Sequence, residues 1–316
     1  MAHASTMPDL DLQHDAPLPT WFRIGGRAEQ FCAPRNVQDL RRCIDLDPAL
    51  HVIGDGANLL VDDDGVPGLV LSLTHGFTSI APEAGVWSSG RVHVGAGVNL
   101  PKLIHEVGKH GLAGLEGLGG IPASIGGAVV MNAGGAFGEF GNVVERVHAL
   151  SRDGHEVVIE RRDLAFGYRQ SGLAGPDAPI ITGVDLALQP GADPAALRTR
   201  LKEVMAFKSK SQPMADNSAG CCFKNPTLAA DLITRDGERF ASGTRVGAGL
   251  LIDRAGLKGL RIGGASVSER HANFIVTDEG ATARDVIRLM AEVVRRVRDR
   301  FGVELHREVV VWSRDQ

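Results

Sequence analysis

The sequence predicts an α+β fold. Strand-type and helix-type runs interleave along the chain without the strict strand–helix–strand alternation of one doubly wound sheet. Glycine, 40 of 316 residues, gathers in clusters instead of spreading evenly. The clearest helix signal stands near the C-terminal end, apart from those clusters.

Taken in order, the polar stretch 1–18 carries Asp9, Asp11, His14 and Asp15. It lacks the basic start and apolar core of a signal peptide and reads as a disordered tail. Pro34 to Leu46 reads as an amphipathic helix with Val37, Leu40 and Ile44 on one face. His51–Ile53 is a short strand running into Gly54-Asp-Gly-Ala-Asn-Leu-Leu60, and Leu69–Leu73 is a second strand. Arg91–Val98 alternates as a strand. Asn99 caps a following helix, with Pro101 in its first turn and Gly111 just past its end. Val147–Leu150 and Val157–Ile159 flank Asp153-Gly154, a hairpin signal. Ile180–Leu188 is a strand, and Leu197 to Phe207 has helical spacing. Strands are expected near Ile262–Val267, Phe274–Val276 and Val309–Trp312. Thr282-Ala-Arg-Asp285 is a capping box, followed by a stripe of Val286, Leu289, Met290, Val293, Val294 and Val297. The expected division is a body over 19–192, built of two α+β parts (about 19–75 and 76–192), and a smaller α+β domain over 193–316.

Composition narrows the classes. With a net charge of −4 the chain has no basic excess, so a general nucleic-acid binder is not expected. No apolar run approaches the roughly 20 residues needed to span a bilayer. A cytoplasmic, monomeric protein is the expectation. Cys32 and Cys43 read as small buried apolar residues. Adjacent Cys221 and Cys222 have poor zinc spacing with no partner pair, so no metal is expected.

Twelve of the 34 residues from Gly108 to Gly141 are glycine. Such a segment is entropically costly to order, so something must offset the cost. Phosphate does so: glycine lets backbone N–H groups approach its oxygens without Lys or Arg. The Gly54–Leu60 cluster lacks the third glycine of G-x-G-x-x-G and no βαβ unit follows, which argues against a Rossmann site. No Gly-Lys-Ser/Thr occurs, so neither cluster is a P-loop. A dinucleotide held across two glycine-rich loops, and hence a redox enzyme, is the reading.

Several ordered motifs then resemble one flavoenzyme family, the UDP-N-acetylenolpyruvoylglucosamine reductases, from about Thr20 to Val311. Thr20-Trp-Phe-Arg-Ile-Gly-Gly26 resembles the family's opening strand, and Ile53 to Leu60 its first flavin-phosphate loop. Glu116-Gly-Leu-Gly-Gly-Ile-Pro-Ala-Ser-Ile-Gly-Gly-Ala-Val-Val-Met-Asn-Ala-Gly134 resembles the second and is the most specific. Phe166-Gly-Tyr-Arg-Gln-Ser171, Ala219-Gly-Cys-Cys-Phe-Lys-Asn-Pro226, Ala248-Gly-Leu-Leu-Ile-Asp253 and Leu305-His-Arg-Glu-Val309 follow in family order.

The resemblance implies non-covalent FAD in a domain of the vanillyl-alcohol-oxidase (PCMH) type, with the C-terminal domain binding substrate. It implies NADPH as reductant and UDP-N-acetylglucosamine enolpyruvate as the substrate reduced. The short spacing between Arg169 and Cys221 resembles the family's shorter type, which lacks an inserted substrate loop. The cofactor residues implied are Arg23, Gly54, Asp55, Gly56, Ala57, Asn58 and Leu59, with Gly117, Gly119, Gly120, Ile121, Pro122, Ser124, Gly126, Gly127, Asn132 and Gly134. Tyr168, Lys224, Asn225 and His271 are the implied substrate residues; Arg270 and Asn273 share the stretch with His271.

The reaction so implied delivers hydride from flavin N5 to the β-carbon of an enol ether, and charge develops on the α-carbon and its carboxylate. The site needs a carboxylate partner, an acid and a proton source for the α-carbon. Arg169 fits the first, since a guanidinium binds carboxylate bidentately. Glu308 fits the second. Cys221 stands where many members carry the serine that protonates the α-carbon, and a thiol also donates a proton. Two alternatives stay open: another FAD enzyme of the same fold, including one with covalent flavin, and a nucleotide-binding module without catalysis.

Overall fold

Regular structure begins inside the stretch expected to be a disordered tail. In the computed structural model, which describes residues 10–234 and 237–314, β1 (Gln13–Pro17) is the first strand of a four-stranded sheet. Ala16 is buried in it, and Leu10 and Leu12 pack against the core, so three apolar groups suffice to fix the segment. Residues 1–9 of the expected tail lie outside the described residues.

The chain continues with β2 (Arg27–Cys32), α1 (Val37–Leu46), β3 (His51–Ile53), β4 (Leu59–Val61), β5 (Val66–Ser72), β6 (Ile80–Pro82) and β7 (Arg91–Gly95). Then come α2 (Leu100–Lys109), α3 (Ile125–Val130), β8 (Gly134–Gly135), β9 (Gly138–Glu139), β10 (Val144–Leu150), β11 (Glu156–Glu160), β12 (Ile180–Ala187) and α4 (Pro194–Ser211). The last part holds β13 (Leu232–Ile233), β14 (Arg239–Phe240), α5 (Ala248–Arg254), β15 (Arg261–Ile262), β16 (Ala265–Val267), β17 (Ile275–Thr277), α6 (Ala283–Phe301) and β18 (Val310–Trp312). No described helix is long and apolar enough to cross a membrane.

Local chemistry explains the helix starts. Asn36 is extended and its side chain accepts from Asp39 N–H, so α1 begins at Val37 rather than at Pro34. Asn99 does the same for α2 through Lys102 N–H, and Gly111 beyond its end takes a left-handed φ of 68°. The opening motif Thr20–Gly26 is not a strand. Arg23 and Gly25 have φ of 54° and 102°, which breaks the extended chain, and the strand starts at Arg27. A Cβ on Gly25 would lie 2.1 Å from the Val61 carbonyl oxygen. The strand expected over Ile262–Val267 is a hairpin, β15 and β16, because Gly263 turns at φ 54°.

By packing, the chain divides into two units, and the division does not follow the expected boundary at residue 193. The first unit takes the segment ending at Ala16, Ala28–Gly54 and Pro67–Leu201. The second takes Pro17–Arg27, Asp55–Val66 and the chain from Lys202 onward.

The first unit carries two sheets. One has the order β1-β2-β5-β3, with β3 and β5 parallel; the other, β11-β10-β12-β7-β6, pairs its strands antiparallel. Val92, Val94, Val147, Val184 and Leu186 of the second sheet pack with Leu100, Leu103 and Val107 of α2 and with Ile125 and Val129 of α3. In the second unit, α6 buries Val286, Leu289, Met290, Val293 and Val297 against α5 and β16, while Val294 is only partly buried.

The Asp55–Val66 segment joins the second unit for identifiable reasons. β4 pairs in parallel with β18, and Asp62 N–H donates to the Trp312 carbonyl at 2.8 Å. The Asp63 carboxylate then accepts Ala283 N–H at 2.9 Å and Arg284 N–H at 3.0 Å, capping α6 beside its own Thr282–Asp285 box. Asp63→Ala removes the acceptor of two helix-start donors, so a stability loss of about 1–2 kcal/mol is expected, read as a lower urea midpoint at fixed flavin concentration. An unchanged midpoint would show that this cap does not hold the segment.

Candidate active site

In the first unit the glycine-rich segment is built around Ser124. Its hydroxyl accepts Gly127 N–H at the start of α3, and it lies 2.2 Å from where a Cβ on Gly54 would stand. Gly54 is thus bare because Ser124 occupies the space. Gly117 is likewise closed in, with the Phe137 carbonyl oxygen 2.3 Å from its notional Cβ.

Asn132 governs the chain beyond α3. It is 1 % exposed and sits at φ 41°, a left-handed conformation that favours glycine and asparagine. Its amide oxygen accepts Gly141 N–H at 2.9 Å, and its amide nitrogen donates to Glu139 and to the Gly167 carbonyl, both at 2.9 Å. The Ser171 hydroxyl donates to the Val130 carbonyl at the end of α3. These bonds anchor the 166–171 turn on the glycine-rich segment. Arg169 lies in that turn at φ 56°, with its guanidinium 5.5 Å from the Tyr168 ring centroid. A non-glycine residue held left-handed by its surroundings is characteristic of functional turns.

In the second unit three segments interlock around Asn273. Its backbone carbonyl accepts Cys222 N–H, its side chain accepts Phe223 N–H at 3.0 Å, and it donates to the Phe223 carbonyl at 2.8 Å. Glu308 N–H donates to the Cys222 carbonyl at 2.8 Å, so the acid and the thiol pair stand on neighbouring segments. Asn58 of the first glycine loop donates to the Glu308 carbonyl at 3.2 Å and accepts Val310 N–H. The loop, Cys221 and Glu308 therefore belong to one hydrogen-bonded knot.

The two thiols differ. Cys222 is fully buried, and that burial pushes its thiol up to about 12. Cys221 is partly exposed. His271 accepts Asn273 N–H on Nδ1 at 3.2 Å, which leaves Nε2 to carry the proton of the neutral ring; burial lowers its pKa.

The other predicted residues divide by what their polar groups already bind. Among the described residues, Gly56, Ala57 and Asn58 in the second unit have backbone N–H groups with no protein acceptor, and so do Gly120, Ala123 and Ser124 in the first. Gly56 and Ser124 are buried, and buried N–H groups require partners. Each unit thus carries donors suited to an anionic, phosphate-bearing cofactor. The N–H groups of Gly119, Gly126 and Gly127 are different: they already donate to Glu116, Ala96 and Ser124. They shape the loop and offer no backbone donor. Asn132 likewise has both amide hydrogens engaged. Gly134 sits in the β8–β9 hairpin, and Leu59 opens β4, buried. Arg23 is exposed; Asp55, Ile121, Pro122 and Lys224 are partly exposed. The Asn225 side chain accepts Ala248 N–H at the start of α5, and Arg270 donates to the Ser209 and Lys210 carbonyls. Of the three residues expected to be catalytic, Cys221 and Glu308 share the second unit and Arg169 belongs to the first.

Sequence reasoning missed the bracing roles of Asn132 and Asn273. It also missed Ser218, whose buried hydroxyl has no hydrogen-bond partner. For Asn132 the available signal was an amide side chain set inside a glycine-bearing motif; Asn273 and Ser218 carried no such signal.

Two family models and several known proteins match the chain. A family model described as UDP-N-acetylenolpyruvoylglucosamine reductase, C-terminal domain, matches residues 212–312, and one described as FAD binding domain matches 28–160. The UDP-N-acetylenolpyruvoylglucosamine reductase of Desulfosudis oleivorans is 42% identical over 302 residues, covering 92% of this chain and 91% of its own. UDP-N-acetylenolpyruvoylglucosamine reductase 2 of Symbiobacterium thermophilum is 40% identical, covering 93% and 89%. The crystal structure of the Thermus caldophilus UDP-N-acetylenolpyruvylglucosamine reductase (MurB) superposes with a TM-score of 0.76 at 37% identity, covering 96% of this chain and 99% of that one.

Two outcomes are expected from the geometry. Asn132→Ala orphans Gly141 N–H and places alanine at positive φ, lowering stability by about 3 kcal/mol; Asn132→Gly recovers only the backbone part, as urea midpoints will report. In the native protein at pH 8, iodoacetamide labels Cys221 and spares Cys222, read by peptide mass spectrometry. Labelling of Cys222 without unfolding would contradict its burial.

Proposed function

The chain belongs to the UDP-N-acetylenolpyruvoylglucosamine reductase family, and from that premise we propose that it reduces UDP-N-acetylglucosamine enolpyruvate to UDP-N-acetylmuramate in peptidoglycan precursor synthesis. It is an FAD-dependent oxidoreductase that takes NADPH as co-substrate. In this reading it acts in the cytoplasm as a monomer. Residues 19–192 serve the flavin and 193–316 the nucleotide-sugar, with Asp55–Val66 packed into the latter's unit.

Bound FAD would supply the hydride-transfer chemistry that links NADPH to the substrate double bond. In the second unit the N–H groups of Gly56–Asn58, and in the first those of Gly120, Ala123 and Ser124, are each suited to hold phosphate without a Lys or Arg in the loop. Gly54, Gly117 and Gly134 let Ser124, Phe137 and Gly138 pack directly against the loop backbone.

The chain's own residues handle carboxylate and proton. Arg169 pairs the substrate carboxylate bidentately, and its left-handed backbone, braced through Asn132 and Ser171, presents the guanidinium in a fixed orientation. In this reading, charge building toward that carboxylate is met by the Arg169 cation, with Glu308 as the acid. The Cys221 thiol gives its proton to the α-carbon and is reprotonated from solvent. Tyr168, Lys224 and His271 (donating from Nε2) orient the substrate. Asn225 contributes indirectly by holding the start of α5.

The observation that carries the reading, beside family membership, is the Glu308-to-Cys222 backbone bond. It sets acid and thiol segments side by side and is tied to the first glycine loop through Asn58.

The visible spectrum of the purified protein tests it. Flavin bands should bleach with NADPH and return on adding UDP-N-acetylglucosamine enolpyruvate. Absence of bands after FAD addition would sink the proposal, and colour retained through acid precipitation would point to a covalent flavin enzyme instead. Cys221→Ala should still bleach with NADPH but return its colour on the order of 100-fold or more slowly. Cys221→Ser should keep appreciable turnover. Normal turnover of Cys221→Ala would remove this thiol from the mechanism.

A further inference from the structure

We infer that the solvent-exposed face of the five-stranded sheet binds a divalent transition-metal ion of the zinc class through His93, His148 and Asp185. The three residues come from three adjacent strands. Asp185 on β12 stands directly opposite His93 on β7, and His148 on β10 stands opposite Gly183, two residues back along β12. One ligand atom from each lies within 4.8 Å of the others. His93 Nδ1 is 2.7 Å from one carboxylate oxygen of Asp185, and His148 Nε2 is 2.9 Å from the other.

The donor set decides the class of ion. Two imidazole nitrogens and one carboxylate oxygen suit zinc, nickel or copper, whereas calcium and magnesium demand more oxygens. A three-ligand zinc site is completed by water, and the cluster is open to it: His93 is 43% exposed, His148 32% and Asp185 22%.

Gly183 gives the cluster a second, independent support. Glycine inside a strand weakens it and needs a reason. Here a Cβ would stand 2.9 Å from His93 Cε1. The missing side chain is what allows the His93 ring to lie across β12 beside Asp185. A strand built only for packing has no use for that space.

The charged neighbours permit an ion to enter. Arg146 Nε is 3.6 Å from Asp185 and 3.7 Å from Glu160, so a second carboxylate stands ready to hold the guanidinium when metal takes Asp185. Arg91 is already engaged with Glu145 and Glu83. Across the sheet edges the remaining facing residues, Ala81 and Val158, are uncharged. All of these groups belong to the first unit, and none is part of the proposed reaction.

The test uses full-length, untagged protein with its flavin bound. It is titrated with zinc chloride alone by isothermal calorimetry, and bound zinc is counted after gel filtration. One saturable equivalent is expected, with a rise in the thermal midpoint on zinc addition. His93→Ala and Asp185→Asn should each weaken binding on the order of 100-fold or more. Gly183→Ala, which crowds the His93 ring while keeping all three ligand residues, should weaken it too. His155→Ala, removing an exposed histidine outside the cluster, should leave the stoichiometry at one. Equal binding by wild type and the cluster variants, or no saturable equivalent, overturns the assignment. Flavin reduction by NADPH serves as the folding control for every variant.

Discussion

Each backbone N–H and C=O withdrawn from helix or sheet must find another partner or meet a ligand. That constraint organises this molecule, because the segments bearing its chemistry are almost all irregular. Asparagine and serine side chains satisfy the requirement from inside the protein. Asn132 serves a glycine N–H and the carbonyl of the Arg169 turn, Asn273 clamps the Phe223 backbone from both sides, and Ser124 and Ser171 close the two ends of α3. Where no side chain answers, at Gly56–Asn58 in the second unit and at Gly120, Ala123 and Ser124 in the first, the donors stay open to a ligand. Rigidity and ligand-ready donors thus come from one distribution of hydrogen bonds, filled in some places by protein and left open in others.

Much of this was legible where the cause was local. The caps of α2 and α6 were readable because cap, first turn and apolar stripe lie within a few residues of one another. The hairpin at Asp153-Gly154 followed from its turn. What escaped was non-local or depended on a single dihedral. The β4–β18 pairing links residues far apart in the chain, so the boundary at 193 could not anticipate that Asp55–Val66 packs with the C-terminal region. The opening motif and the Ile262–Val267 run look strand-like by composition, yet left-handed residues bend both.

The candidate site was legible as residue types and opaque as roles. Glycine clusters identify a cradle but not which N–H groups remain available; Gly119, Gly126 and Gly127 turn out to spend theirs internally. Motif position singled out Cys221 as the proton donor, but sequence did not show which thiol is buried. Neighbouring residues in extended chain face opposite ways, so one thiol enters the core and the other does not. The His93–His148–Asp185 cluster carries no motif at all, because it is written across three strands.

The Asn58–Glu308 bond spans 250 residues, and it fastens the first glycine loop to the last strand of the chain. On a ribosome, β4 emerges long before its partner β18, while the first unit's sheets can pair as soon as Leu201 has cleared the tunnel. Through most of synthesis β4, the short apolar strand Leu59–Val61 that ends the loop, lacks the strand it pairs with. The enzyme's maturation is therefore vectorial: a truncated or stalled chain holds the second glycine loop but lacks the strand that completes the first. The first glycine loop is thus completed only once Val310 has been made, however well formed the first unit's sheets already are.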